Sequence, residues 1–285
     1  THAERQTRGG GRVGPADAQA RRALADSLAR EVIANWPGKD LDRVMEGLDV
    51  WCYRKPARVH RGQRAVGFHV PGLPDAPWID PASFECGEIL TDAYEGIRDE
   101  VSRFMDGRMA APPHGLPDNA QSDAAALSGQ SEGWREWRFV ARNGRFLDER
   151  CKDFPVTAGA LRQVAQRIPL LVNALLLTLR PGTLIPPHTD PINAYADLWL
   201  GIFVPKETAL CVRGETRAPV EGGLLGFDHS FEHTAWNRGD SDRIVLSLLI
   251  HNPNLLPHER EIAGFLIHHL AKFSATTVFE QSVCE

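Results

Sequence analysis

Paired cysteines are what this 285-residue sequence most plainly lacks. Cys52, Cys86, Cys151, Cys211 and Cys284 are odd in number, widely spaced and include no C-x-x-C pair. That excludes a disulfide framework and a structural zinc site, and it fits a reducing, cytoplasmic setting. Long apolar runs are missing too. The longest, Leu170–Leu179 and Ile244–Ile250, fall far short of a bilayer span, and Thr1–Gly14 has no apolar signal core, so no membrane association is expected. Nor is there an excess of positive charge. Lys+Arg 32 against Asp+Glu 37 gives a formal net charge of -5, which leaves affinity for phosphate backbones without an electrostatic source, and no nucleic acid is expected as partner. What remains is globular material: 42% hydrophobic and 24% charged residues, in a chain long enough for one large or two modest domains.

Thr1–Pro15, with its glycine run, reads as a disordered leader over residues 1–15. A helical and mixed N-terminal region is expected over 16–133. There the spacing of Leu24, Leu28, Val32 and Ile33 predicts an amphipathic helix over Ala16–Trp36, stopped by Pro37-Gly38. A second helix is expected over Ser83–Met105, and Val50–Tyr53 and Ala65–Val70 read as short strands. Residues 108–133, dense in Pro, Gly, Ser, Asn and Asp, read as a loop. Trp134–Val140 and Phe146–Leu147 are strand candidates, followed by a helix from a Thr157 cap to Ile168. Short strands then recur: Leu171–Leu179, Leu184–Pro186, Asp197–Val204, Ala209–Arg213, Gly223–Phe227 and Arg243–His251. Their spacing predicts an antiparallel sandwich or barrel, with the catalytic core at 134–257 and a C-terminal helix and tail at 258–285.

The chemistry concentrates in Pro186-Pro187-His188-Thr189-Asp190-Pro191, then Phe227–His233, then Arg243. In extended backbone, side chains two apart share a face, so His188 and Asp190 can offer an imidazole and a carboxylate to one ion. His233 follows far enough on for a jelly roll to run out and return. Two histidines and one carboxylate leave the other positions of an octahedral iron open, the arrangement of non-haem Fe(II) oxygenases. H-x-D alone is a common coincidence in a chain with eleven histidines. Arg243 adds weight because it heads a strongly β-forming run, where a guanidinium can grip a carboxylate bidentately. A structural ion pair with Asp240 or Asp242 is the alternative.

The stretch Leu179–Asn193, with Leu200–Pro205, Phe227–His233 and the lead-in Cys151–Thr157 after Trp134–Arg145, resembles the aspartyl/asparaginyl β-hydroxylase family. The resemblance covers about Trp134–Pro257. It implies a double-stranded β-helix of jelly-roll, cupin-like form, mainly β with flanking helices. It also implies Fe(II) with 2-oxoglutarate and O2, and insertion of oxygen into a C–H bond with release of succinate and CO2. By position, His188 and His233 would hold iron and Arg243 the distal carboxylate of 2-oxoglutarate. Asp190 departs from members that carry Gly there, so a full triad of His188, Asp190 and His233 is available. A second departure concerns the Arg and His that follow the first ligand by nine and eleven residues in many members. Here those positions hold Asp197 and Trp199, leaving Arg180 or Asn193 as candidates to grip the proximal carboxylate.

Ser247 lies on Arg243's strand face and is a candidate to assist with the cosubstrate. Trp199, Phe227 and Trp236 read as core or pocket wall, His229 and His251 as hydrogen-bonded histidines near the site, and His268-His269 as surface. The resulting expectation is a dioxygenase that hydroxylates an amino acid, or an amino-acid unit of a peptide or small natural product. Two alternatives stay open. One is a cupin-like metal enzyme or small-molecule binding module that does not use 2-oxoglutarate, in which Arg243 would face an internal acid. The other makes Thr1–Gly133 a protein-interaction module that brings the enzyme to a carrier-bound or peptide substrate.

Overall fold

The computed structural model describes residues 15–64, 67–106, 133–168 and 171–281. The expected leader, up to residue 14, and the expected loop, up to residue 132, lie outside the described residues, as do the first two residues of the Ala65–Val70 strand. The rest of that strand is irregular backbone.

Helix α1 (Pro15–Asn35) matches the apolar spacing and ends just before Pro37-Gly38, where Gly38 adopts φ +73. Helix α2 (Asp42–Trp51) replaces the expected strand at Val50–Tyr53. Val44, Leu48 and Trp51 recur at helical spacing and are buried beside α1, and this period outweighs the β preference of a four-residue window. The expected helix over Ser83–Met105 is divided. A 3-10 turn at Pro81–Ser83, capped when Asp80 Oδ1 accepts the Ala82 N–H, precedes α3 (Gly87–Asp92) and α4 (Tyr94–Asp106). After strand β2 (Trp134–Val140) and the short α5 (Asp148–Cys151) comes α6 (Pro155–Arg167). Thr157 does not cap α6. It sits in the first turn, and the buried Glu100 carboxylate of α4 caps instead, accepting from Val156 N–H at 2.6 Å, Thr157 N–H at 2.9 Å and the Thr157 hydroxyl at 2.8 Å.

From there the chain alternates between two sheets. Strands β3 (Asn173–Leu179), β5 (Tyr195–Phe203), β8 (Leu224–Phe227) and β10 (Arg243–His251) join β2 and the short β1 (Trp78–Ile79) in a six-stranded sheet ordered β1-β8-β5-β10-β3-β2. Strands β4 (Thr183–His188), β6 (Thr208–Val212), β7 (Glu215–Arg217) and β9 (His233–Asn237) form a second sheet ordered β4-β9-β6-β7. Every strand pairing is antiparallel, and this back-and-forth order is the double-stranded β-helix, a mainly β jelly roll with flanking helices. Pro186 and Pro187 are tolerated in β4 because it is an edge strand, where a missing N–H breaks no ladder. Apolar side chains such as Leu177, Ile185, Leu210 and Val245 fill the space between the sheets. Helices α3, α4 and α6 cover the outer face of the larger sheet. Helices α1 and α2 pack with α7 (Pro257–Gln281), which begins one residue before the expected 258, against Ala194 and Tyr195 where β5 starts.

The described residues of the N-terminal region are tied into the barrel. Trp78 and Ile79 extend the larger sheet by pairing with Phe227 and Gly226. The segment before them runs across the loops that end β4 and precede β9. Gly67 N–H donates to Pro191 O at 3.0 Å, Glu232 N–H to Gly62 O at 2.6 Å, Asp228 N–H to Pro77 O at 2.9 Å, and the Gln63 side-chain amide to Ser230 Oγ at 2.9 Å. Asn193 fastens the same strap: its Oδ1 accepts from Val70 N–H and its Nδ2 donates to Val70 O, both at 2.8 Å and fully buried. Asn193→Ala leaves two buried backbone groups of Val70 unpaired, so urea unfolding is expected to show a loss of about 2–4 kcal/mol. A change within roughly 0.5 kcal/mol, the usual range for a surface substitution, would count against this clip.

Candidate metal centre

β4 and β9 are neighbours, and their register sets His188, the last residue of β4, opposite His233, the first of β9. The imidazole centroids lie 4.1 Å apart. Each ring donates through Nδ1 to the carbonyl two residues before it, His188 to Pro186 O at 2.8 Å and His233 to Phe231 O at 2.9 Å. These bonds fix the tautomer and leave both Nε2 lone pairs free, the state a metal requires. Asp190 follows in the loop, with Oδ2 3.8 Å from His233 Nε2. One ligand atom from each of His188, Asp190 and His233 lies within 4.8 Å of the others, and this is the one such group among the described residues. His188, Asp190 and His233, expected from the sequence to meet, are brought together by the fold.

Electrostatics suit the same role. Burial, then the neighbouring His188, pushes the His233 imidazole down to about 4, so it is neutral near pH 7. Burial alone would raise the Asp190 carboxyl, but His229, His233 and His188 outweigh it and hold it below the usual carboxylate range. His229 serves a different end. Its Nδ1 faces Asp197 Oδ2 at 2.8 Å and its Nε2 faces Ile192 O at 2.9 Å, while its own carbonyl accepts from Asp190 N–H at 3.0 Å. Both ring nitrogens meet acceptors, so the ring is an imidazolium. Burial opposes that charge, yet the Asp197 hydrogen bond and the charges of Asp190, Asp197 and Asp228 raise it to about 9. His229 thereby clips the Asp190–Ile192 loop to β5.

Arg243 stands at the first position of β10, between Leu179 of β3 and the end of β5. It is completely buried, and none of its three guanidinium nitrogens has a hydrogen-bond partner. Its Cζ lies 5.0 Å from the centroid of the Trp199 ring, and burial pulls it down to about 10, leaving it charged at neutral pH. Neither Asp240 nor Asp242 pairs with it among the described residues, so the structural ion-pair alternative fails.

Three other expected cofactor contacts are not presented to the interior as anion grips. Arg180 is exposed in the β3–β4 turn, at the end of β4 away from His188. Asn193 has committed its amide to Val70. Ser247 shares Arg243's strand face, but its hydroxyl donates to Asp197 Oδ1 at 3.0 Å. Trp199 and Phe227 do form interior wall, with rings edge to face at 5.2 Å and Phe227 5.8 Å from His233. Trp236 pairs instead with exposed Leu184 on the solvent side of the smaller sheet. Unforeseen is a buried polar ladder on β2 and β3, where Arg138 donates to Glu136 Oε1 at 2.7 Å and to Asn173 Oδ1 at 2.8 Å. The alternation of Trp134, Glu136 and Arg138 was the available signal, since a buried tryptophan at i marks i+2 and i+4 as facing the same way.

The sequence profile of the Aspartyl/Asparaginyl beta-hydroxylase family matches residues 91–253. The likeness therefore begins within α3, well before Trp134. Aspartyl/asparaginyl beta-hydroxylase of Mus musculus is 29% identical over 203 residues, covering 70% of this chain and 26% of its own. Ornithine lipid ester-linked acyl 2-hydroxylase of Rhizobium tropici is 29% identical over 177 residues, covering 61% and 60%. Aspartate beta-hydroxylase domain-containing protein 2 of Homo sapiens is 31% identical over 229 residues, covering 73% and 60%. The chain thus spans about a quarter of the mouse relative's length. With a profile match over more than half of its residues, the chain belongs to the aspartyl/asparaginyl β-hydroxylase family.

Proposed function

We propose that the protein is an Fe(II)- and 2-oxoglutarate-dependent dioxygenase that hydroxylates a C–H bond of an amino acid, or of an amino-acid unit in a peptide or small natural product. Membership of a hydroxylase family supports the enzyme class. The observation that carries the finer reading is Arg243. A fully buried guanidinium with no acceptor is a large cost unless a ligand supplies an anion, and it lies in the same barrel as a two-histidine, one-carboxylate cluster. In a cupin-like protein without 2-oxoglutarate, that charge would need an internal acid, and none bonds it among the described residues.

The donor set fits ferrous iron. His188 and His233 would bind through Nε2 and Asp190 through a carboxylate oxygen, leaving room for a chelating 2-oxo acid. When bound, iron with 2-oxoglutarate and O2 supplies the oxidation of C–H to C–OH, with succinate and CO2 as coproducts. The chain's own residues place and shield the reactants. Arg243 holds the distal carboxylate of 2-oxoglutarate, Trp199 and Phe227 keep water from the passage between that anchor and the histidines, and His229 fixes the loop that carries Asp190.

Two substitutions test this reading. Asp190→Gly should weaken Mn(II) binding roughly tenfold or more and raise succinate formed per product, both read by calorimetry and product analysis. Unchanged values would remove Asp190 from the ligand set. Arg243→Met removes a buried unpaired charge, so the ligand-free protein should become more stable by roughly 2–4 kcal/mol while 2-oxoglutarate binding weakens on the order of 100-fold. A variant that loses stability yet binds the keto acid normally would show that the guanidinium is structural.

A further inference from the structure

Strand β2 turns one face inward at Trp134, Glu136 and Arg138, and the Trp134 ring lies 6.4 Å from the His188 ring, so the candidate metal centre looks onto this wall. Arg138 is 6% exposed. Its bonds to Glu136 Oε1 at 2.7 Å and Asn173 Oδ1 at 2.8 Å fix the plane of its guanidinium. A second guanidinium joins it. Just past β2 the chain turns back, where Ala141 N–H donates to Arg145 O at 2.8 Å, and Arg142 on that turn lies in the field of Arg138, Glu136 and Asp190. Against burial, His229, His233, His188 and then Arg142 favour the charged form of Asp190.

Two like charges on one wall repel unless anions offset them. Among the described residues, the anions acting on Arg142 are Glu136 and Asp190, and Glu136 is shared with Arg138. Asp190 belongs to the cluster that can hold a metal, and a divalent ion there draws the carboxylate's charge to itself. Loading the centre therefore leaves positive charge in excess on the wall beside it. A carboxylate meets that excess, because a guanidinium matches it in shape and can bind it with two parallel hydrogen bonds. An apolar acyl chain has nothing to offer there. We propose that Arg142, backed by Arg138, binds a carboxylate of the substrate, which makes the substrate a carboxylate-bearing amino acid or amino-acid unit. That group is the α-carboxylate of a free amino acid or the side-chain carboxylate of an acidic residue. The assignment rests on the dioxygenase reading above.

With the full chain loaded with Mn(II) and 2-oxoglutarate, proton NMR records how strongly the bound metal broadens the lines of added probes. The probes are the standard free L-amino acids, their C-terminal amides, and the N-acetyl amides of aspartate and asparagine. Free amino acids broadened more than their amides identify the α-carboxylate as the ligand. Broadening of N-acetyl-aspartate amide and not of its asparagine counterpart identifies the side chain. In either case Arg142→Gln should weaken probe binding roughly tenfold, and Arg142→Lys should recover part of that loss, with Mn(II) and 2-oxoglutarate affinities unchanged. Arg145, exposed on the same turn, is the control, and Arg145→Gln should match the wild type. Equal broadening of probes with and without a carboxylate would overturn the assignment alone. So would wild-type probe binding in Arg142→Gln, loss of Mn(II) binding in that variant, or a wild-type protein that takes up 2-oxoglutarate and broadens no probe. Failure of the wild-type protein to bind 2-oxoglutarate would overturn the cosubstrate reading and this assignment together.

Discussion

A guanidinium without a counter-charge, held at the inner end of β10, sets the terms for the rest of the barrel. Moving such a group from water to an apolar interior costs several kcal/mol even after relaxation. The fold bears that cost at its best supported strand. β10 is bonded along both edges, to β3 and β5, and Ile244, Val245, Leu246, Leu248 and Ile250 are buried because helices cover one face of the sheet and the second sheet covers the other. The Trp199 ring beside the guanidinium gives partial compensation without an internal anion. An acid in that place would have made the fold more stable and the barrel unable to hold an acidic ligand there.

The candidate metal centre follows the opposite rule, in that the groups orienting His188, Asp190 and His233 are themselves hydrogen-bonded. Each imidazole of the candidate centre is oriented by the carbonyl two residues before it, so orientation and tautomer come from the same local backbone shape at His188 and His233. Asp190 sits in a loop, where a carboxylate could wander. His229 prevents this by bonding on both sides of Pro191 and by anchoring through Asp197 to β5.

Much of this was legible in the sequence, for identifiable reasons. Arg243–His251 was read to the residue because a long β-forming run has one unambiguous interpretation. The cluster was legible because His188 ends β4, His233 begins β9 and Asp190 follows His188 by two residues, so spacing translates directly into position. Asn193, Arg180 and Ser247 were misjudged for a common reason: a polar side chain near a site in sequence carries no sign of which partner it will choose. Asn193 chose a backbone 123 positions away. The swap of Asp197 and His229 into a buried ion pair was equally hidden, since neither residue has a signature apart from the other. Helix α2 was missed because a window of four residues cannot distinguish strand period from helix period.

The strap between Gly62 and Ile79 bears on what the family likeness covers. The profile match begins at residue 91, yet the loops carrying Asp190 and preceding His233 are tied down by backbone bonds from Gly62, Gly67 and Pro77. β1, in the same segment, closes the edge of the larger sheet against β8, the strand that leads into the His229 loop. Conformation at the candidate centre is therefore fixed partly by residues outside the matched stretch. In this chain the strap, fastened by Asn193, and the His229 clip converge on Asp190–Asn193, so the Asp190 carboxylate is held from two sides by elements that the H-x-D motif does not contain.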